Sequence, residues 1–159
     1  MEIRKFKKGD TKAVARLIVR TFKKYNGEDF FNQEGVSKTL DLFDIKKNTE
    51  EQLIERFKKT PIFYVAEVDG KIIGMIRGLP NKISSFFVDG QEQGKGVGKK
   101  LIRRFELEAK KRKSEYIKIR ASLYATAFYQ KRGYKKTTGI RNFMGLKVYN
   151  MKRSLVTEA

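Results

Sequence analysis

The chain has 159 residues, a formal net charge of +19, no cysteine and no histidine. This excludes a disulfide framework, thiolate and imidazole metal sites, and Ser-His-Asp or Cys-His catalysis. No run of about 18 apolar residues reads as a membrane span and Met1-Glu2-Ile3-Arg4 opens no apolar signal region, so one cytoplasmic globular domain over residues 1–159 is expected.

Glu2 to Phe6 alternates like a short strand. Asp10 or Thr11 caps a helix with Val14, Leu17, Ile18, Phe22 and Tyr25 at helical spacing. Val36 to Phe43 and Thr49 to Phe57 read as two shorter helices. Pro61–Ala66 and Ile72–Ile76 form strands around Asp69-Gly70, a strong hairpin turn, and Ile83 to Val88 forms another. Gly96 to Arg112 is a long amphipathic helix, Tyr116 to Ala121 a strand, and Tyr124 to Lys131 a short helix closed by Gly133. Two last strands fall near Tyr134–Thr138 and Leu146–Met151. This order predicts a mixed α/β domain without repeats or linkers.

The charge is unevenly placed. Residues 91–159 hold 19 basic and 5 acidic side chains, a net of +14, whereas Asn26 to Glu55 holds 3 basic and 8 acidic, a net of −5. A basic half suits a polyanionic partner such as a nucleotide, a nucleic acid or a membrane surface.

The most informative stretch is Phe87 to Lys100, an apolar run followed by glycines at 94, 96 and 98 and then the long helix. Glycines there let backbone N–H groups surround an anion, and the helix turns its positive end to the same place. Lys99 and Lys100 in the first turn oppose the helix dipole by about 0.3–1 kcal/mol each, a cost a bound anion offsets. The loop is not a P-loop, because Gln93 and Lys100 stand where glycine and Ser or Thr belong. It is not a dinucleotide fingerprint either, because Lys99 stands where a third glycine belongs.

Gln93-x-x-Gly96-x-Gly98 between a strand and a helix resembles the acyl-CoA-binding motif of the GNAT N-acetyltransferase superfamily. Ser122-Leu-Tyr-Ala125-x-Ala-Phe128-Tyr129-Gln-Lys-Arg-Gly133-Tyr134 resembles its second signature, with Ser122 where the family often has Asn. The element order also resembles the family's from first strand to last. The resemblance implies a GNAT fold, with a mostly antiparallel sheet of six to seven strands flanked by about four helices.

It also implies acetyl-CoA as cosubstrate, with no metal. The amides of Gly94, Lys95, Gly96, Val97, Gly98 and Lys99 would hold the diphosphate, with Gln93 opening the motif. Lys95, Lys99, Arg103 and Lys131 are candidates for the other phosphates. The backbone of Phe86, Phe87 and Val88 would pair with the pantetheine amides as an added strand does, and Ser122 would contact the same arm. An N–H near Val88 would polarise the thioester carbonyl. Tyr129 would protonate the departing sulfur; an ordinary thiol titrates near 8.5 and a phenol near 10, so that proton moves only slightly uphill.

No general base is legible. Ile117 and Ile119 fill the strand where some relatives place Glu, leaving Glu67, Asp89 and Glu115 as candidates by type alone, or water. The acidic stretch invites a cationic amine acceptor steered by Glu28, Asp29, Glu34, Asp41 or Asp44, and equally the reading of a solvated loop. A catalytically idle CoA-binding domain is the runner-up function, and a nucleic-acid binder, which lacks any recognised motif, comes third. Pairing through the last two strands would build a homodimer of the kind common among relatives.

Overall fold

The computed structural model describes residues 1–25, 38 and 40–156. Seven strands form one sheet in the order β1-β2-β3-β4-β5-β7-β6: β1 (Glu2–Lys5), β2 (Ile62–Val68), β3 (Lys71–Leu79), β4 (Lys82–Val88), β5 (Tyr116–Ser122), β6 (Lys135–Phe143) and β7 (Leu146–Ser154). Neighbours are antiparallel except β4 and β5, which are parallel. The helices are α1 (Thr11–Tyr25), α2 (Glu50–Phe57), α3 (Val97–Lys111) and α4 (Thr126–Lys131). Residues 40–43 are also helical, whereas the start of the expected helix from Val36 lies outside the described residues. Among the described residues no helix is long and apolar enough to cross a membrane.

The helix and strand signals map closely onto these elements. Thr49 caps α2 reciprocally: its hydroxyl accepts from the Gln52 N–H at 3.2 Å and its own N–H reaches Gln52 Oε1 at 2.8 Å. Asp69 and Gly70 take φ of 50° and 78°, the paired positive values of a two-residue hairpin turn. β6 and β7 run further than expected, because Met144 and Gly145 repeat that geometry at φ of 54° and 86°. Asn142 Oδ1 fixes the turn by accepting from the Gly145 N–H at 2.8 Å. α4 starts two residues later than expected: the Ala125 N–H and the Thr126 hydroxyl bond back to the Ser122 carbonyl and hold that segment as a turn.

Two apolar cores sandwich the sheet. On one face α3 lays Val97, Leu101, Ile102, Phe105 and Ala109 against Tyr64, Ile73, Ile76 and Ile117. The close approach depends on Gly74, where a Cβ would stand 2.9 Å from Leu101 Cδ1. On the other face α1 and α2 pack Val14, Leu17, Ile18, Leu53 and Phe57 against Phe63, Val65 and Met75. Each fully buried Leu or Phe contributes about 1.5–3 kcal/mol.

Polar anchors fix the ends. Arg4 bridges Asp10 at 2.8 Å and Glu67 at 2.7 Å, tying β1 to the start of α1 and to β2. Burial pushes the Asp10 carboxyl up, but hydrogen bonds from Arg4 and the Lys7 N–H outweigh it and leave the group below its ordinary value. Under the α3 layer, buried Glu106 accepts from the Tyr134 hydroxyl at 2.9 Å and from Arg153 at 2.6 Å, joining α3 to β7. Replacing Glu106 by Leu strands both donors, and urea unfolding should show a loss of about 1–3 kcal/mol; unchanged stability would mean that the pair contributes nothing net.

Candidate functional site

β4 and β5 meet only at their N-terminal ends. Lys82 and Lys118 are their single register pair, supported by the Lys118 N–H donating to the Asn81 carbonyl at 2.8 Å. Beyond that point the two strands diverge, and a cleft of about 960 Å³ opens between them. Its walls are Ile83 to Val88 of β4, Ile119 to Ser122 of β5, the glycine loop and the α4 segment. Asp89 donates its N–H to the Ile73 carbonyl on β3 at 2.8 Å. Strand alternation therefore turns both polar backbone groups of Val88 the other way, toward β5.

The loop after β4 forms a short 3₁₀ turn at Gly90–Glu92 and enters α3 through Gly94 and Gly96, at φ of 81° and 83°. Gly96 is the N-cap of α3, in the left-handed conformation that costs other residues roughly 1–2 kcal/mol. Space is not the constraint there, since a Cβ at either position would meet nothing within 4 Å. Among the described residues, the N–H groups of Gly94, Gly96, Val97, Gly98 and Lys99 have no backbone acceptor, whereas Lys100 already bonds to the Gly96 carbonyl at 3.1 Å. Five free donors at the positive end of a 15-residue helix suit a diphosphate.

Of the residues expected to hold the cofactor, Phe86, Phe87, Val88, Gln93, Gly94, Gly96, Gly98, Lys99, Ser122 and Tyr129 line this cleft. The side chains of Lys95 and Val97 do not. Lys95 is exposed and pairs with Glu92 at 3.4 Å, and its N–H is already bonded to the Glu92 carbonyl at 3.4 Å; Val97 is buried in the core and offers only its amide. Lys131 lines the cleft as well, but Arg103 does not. The Ser122 hydroxyl accepts from the Ala125 N–H at 3.3 Å, so it shapes the entry to α4 as well as the cleft wall. Gln93 spans the cleft mouth, with its amide nitrogen on the Val88 carbonyl at 3.3 Å and its oxygen accepting from the Tyr124 hydroxyl at 3.0 Å. Motif spacing does not identify Tyr124 as part of the wall.

Tyr129 sits on α4 against the edges of Phe86, Phe128 and Tyr134, with ring centroids 5.5–6.2 Å apart. Burial pushes its hydroxyl well above the ordinary phenol value. The near match of thiol and phenol expected from the sequence therefore changes: the phenol is held protonated, ready to donate but costly to ionise.

None of the three candidate bases lines the cleft. Glu67 is bound to Arg4, Asp89 to Arg20 at 2.9 Å, and Glu115 is exposed at the start of β5. Of the five acids expected to steer a cation, Glu28, Asp29 and Glu34 lie outside the described residues. Asp41 pairs with Lys47 at 2.7 Å, and Asp44 accepts from the Lys46 N–H at 2.9 Å. Neither reaches the cleft.

Comparison with known proteins agrees with this geometry. The family described as acetyltransferase (GNAT) domain matches residues 24–155. No curated protein matches the chain. Among solved structures, a GCN5-related N-acetyltransferase from Rhodopseudomonas palustris superposes with a TM-score of 0.79 at 22% identity, over 97% of this chain and 95% of that one. The PaiA N-acetyltransferase from Thermoplasma acidophilum, in complex with coenzyme A, gives 0.74 at 18% identity over 96% and 98%. Ard1 from Thermoplasma volcanium gives 0.74 at 21% identity over 98% of both chains. Divergent parallel strands, a glycine loop of free amides opening a helix, and a buried tyrosine beside the cleft thus accompany a family match over most of the chain, and the protein belongs to the GNAT family of acetyltransferases.

Proposed function

We propose that this domain, spanning residues 1–159, transfers an acetyl group from acetyl-CoA to an amine, with the cleft between β4 and β5 as its active site. The observation that carries this reading is the divergence of the two strands at the foot of a glycine loop whose amides are free. Acetyl-CoA supplies an activated thioester, and this chain's residues hold and polarise it. The free amides of Gly94, Gly96, Val97, Gly98 and Lys99 hold the diphosphate, with Lys99 and Lys131 adding positive charge. The turned-out backbone of Phe86 to Val88 offers the pairing groups of an edge strand to the pantetheine arm. Gln93 must exchange its bond to the Val88 carbonyl as that arm enters.

The attacking amine is neutral; its nitrogen forms the new C–N bond as the carbonyl π pair moves onto oxygen, and the collapse of that tetrahedral oxyanion breaks the C–S bond. The Val88 N–H stabilises the oxyanion, a contribution of about 2.7–4 kcal/mol for one such donor. Tyr129 gives its proton to the departing sulfur. The proton lost by the amine passes to water, since no described carboxylate except Glu92 lines the cleft and Glu92 is paired with Lys95.

Replacing Tyr129 by Phe should lower kcat by roughly 10²-fold or more while the KM for acetyl-CoA changes little. An undiminished kcat would remove Tyr129 from the chemistry. Because Tyr129 stays protonated past the ordinary phenol range, the wild-type rate should show no fall from this group below pH about 10. Gly96→Val should weaken acetyl-CoA binding at least tenfold in calorimetry, because a β-branched residue resists the αL cap that aims the amides. Equal affinity would show that the loop is not the diphosphate cradle.

A further inference from the structure

The floor of the cleft holds an arrangement that acetyl-CoA binding does not use. Arg77 on β3 is 8% exposed and lines the cleft. Its Nε donates to the Ser85 hydroxyl at 3.1 Å, and its Nη1 to the Thr60 hydroxyl and the Arg56 carbonyl, each at 3.3 Å. It lies over the rings of Phe57 and Phe43, at 5.1 and 5.6 Å. Among the described residues no carboxylate pairs with it. A guanidinium this deep ordinarily has an acid beside it, because taking a bare charge out of water is expensive. Burial accordingly lowers its pKa to about 10.

Two more cations share that floor. Lys82 opens β4 half-buried, and burial together with the nearby charge of Arg120 lowers its pKa. Arg120 of β5 lies over the Phe143 ring at 4.1 Å and likewise has no described carboxylate partner. Lys82 and Arg120 repel each other, and together with Arg77 they give this part of the cleft three cations and no described acid. The Ser85 hydroxyl accepts from Arg77 and keeps its own proton free to donate. The single described acid of the cleft wall, Glu92, stands in the glycine loop beyond the far end of β4, roughly 20 Å from Lys82 at strand spacing.

We infer that the acceptor amine also carries an acidic group, a carboxylate or a phosphate, seated among Arg77, Lys82, Arg120 and the Ser85 hydroxyl. The inference rests on the acetyltransferase reading of the same cleft and gives it a substrate class. It runs against the cationic acceptor that the acidic stretch from Asn26 to Glu55 invites, because the described acids of that stretch do not reach the cleft. Ser85 stands three residues, roughly 10 Å at strand spacing, from Val88, so an acceptor whose acid is held at this floor carries its amine on an extended chain that points up the strands toward the Val88 N–H and Tyr129.

The test uses matched acceptor pairs long enough to span that distance, ω-amino acids of six to eight carbons against their amides and ω-aminoalkyl phosphates of the same chain lengths against the corresponding amino alcohols, with release of the coenzyme A thiol as readout. The acidic member of at least one pair should have a kcat/KM at least tenfold higher, and the pair that responds tells carboxylate from phosphate. Arg120→Gln and Lys82→Gln, both at positions solvent can reach, should each erase most of that preference. Turnover that favours the neutral members or a polyamine overturns the inference and leaves acetyl transfer standing. Calorimetry serves as a second measurement should no acceptor turn over. N-acetylated 8-aminooctanoate or N-acetylated aminohexyl phosphate should bind wild type at least tenfold tighter than Arg120→Gln; equal binding of both products to the two proteins also overturns the inference. A lack of acetyl-CoA heat beside intact product discrimination would instead sink the acetyl-CoA reading alone.

Discussion

The structure turns on the parting of β4 from β5. A parallel pair inside a sheet normally satisfies its backbone along its whole length, and here the ladder ends after one register pair. Every other neighbouring pair of strands is zipped through four or more residues, so the gap is local and the sheet is stiff on both sides of it. The edge left on β4 is a strand's hydrogen-bonding edge without its partner. An extended molecule bearing amides can complete it, and in its absence the Gln93 side chain takes the Val88 carbonyl.

The two flanking layers hold that gap open. α3 is pinned to β2 and β3 through Leu101, Ile102 and Phe105, and its approach depends on the bare backbone of Gly74. Its N-terminus is therefore fixed beside the end of β4, with the free amides of the glycine loop directed to one place. The Glu106–Tyr134–Arg153 network fixes the opposite wall, because it ties α3 to β7, which carries β5 through seven register pairs. Tyr129, packed against Tyr134, inherits its position from that network.

Electrostatics divide the cleft into two cationic ends. At the loop, Lys99 joins the helix dipole, and Lys131 at the end of α4 also lines the cleft. At the floor, Arg77, Lys82 and Arg120 stand without described acids. The apolar middle, with Phe86, Phe87, Phe128 and Tyr129, separates them. The net of +14 in residues 91–159 is thus only partly a solvated surface, since three of the five cleft-wall cations named here belong to that half.

Much of this was legible without coordinates. Alternation and helical spacing located the strands and helices to within a few residues, because burial imposes period 2 on a strand and 3.6 on a helix. The spacing Gln93-x-x-Gly96-x-Gly98 identified the loop, because positive φ at a helix N-cap is a local demand that glycine answers. What no local pattern carries is who meets whom across the sheet. Arg77 reads as an ordinary strand residue in the sequence. Only its register with Ser85, and the approach of Phe43 and Phe57, make it a buried cation without a described acid facing a cleft. Tyr124, the fate of the candidate bases and the raised proton affinity of Tyr129 have the same character. The sequence by itself determined the elements, the loop and the family, since those follow from short-range spacing. The tertiary structure decided where the sheet parts and which charges line the parting, because contacts between distant residues and the loss of water around them exist only once the chain is packed.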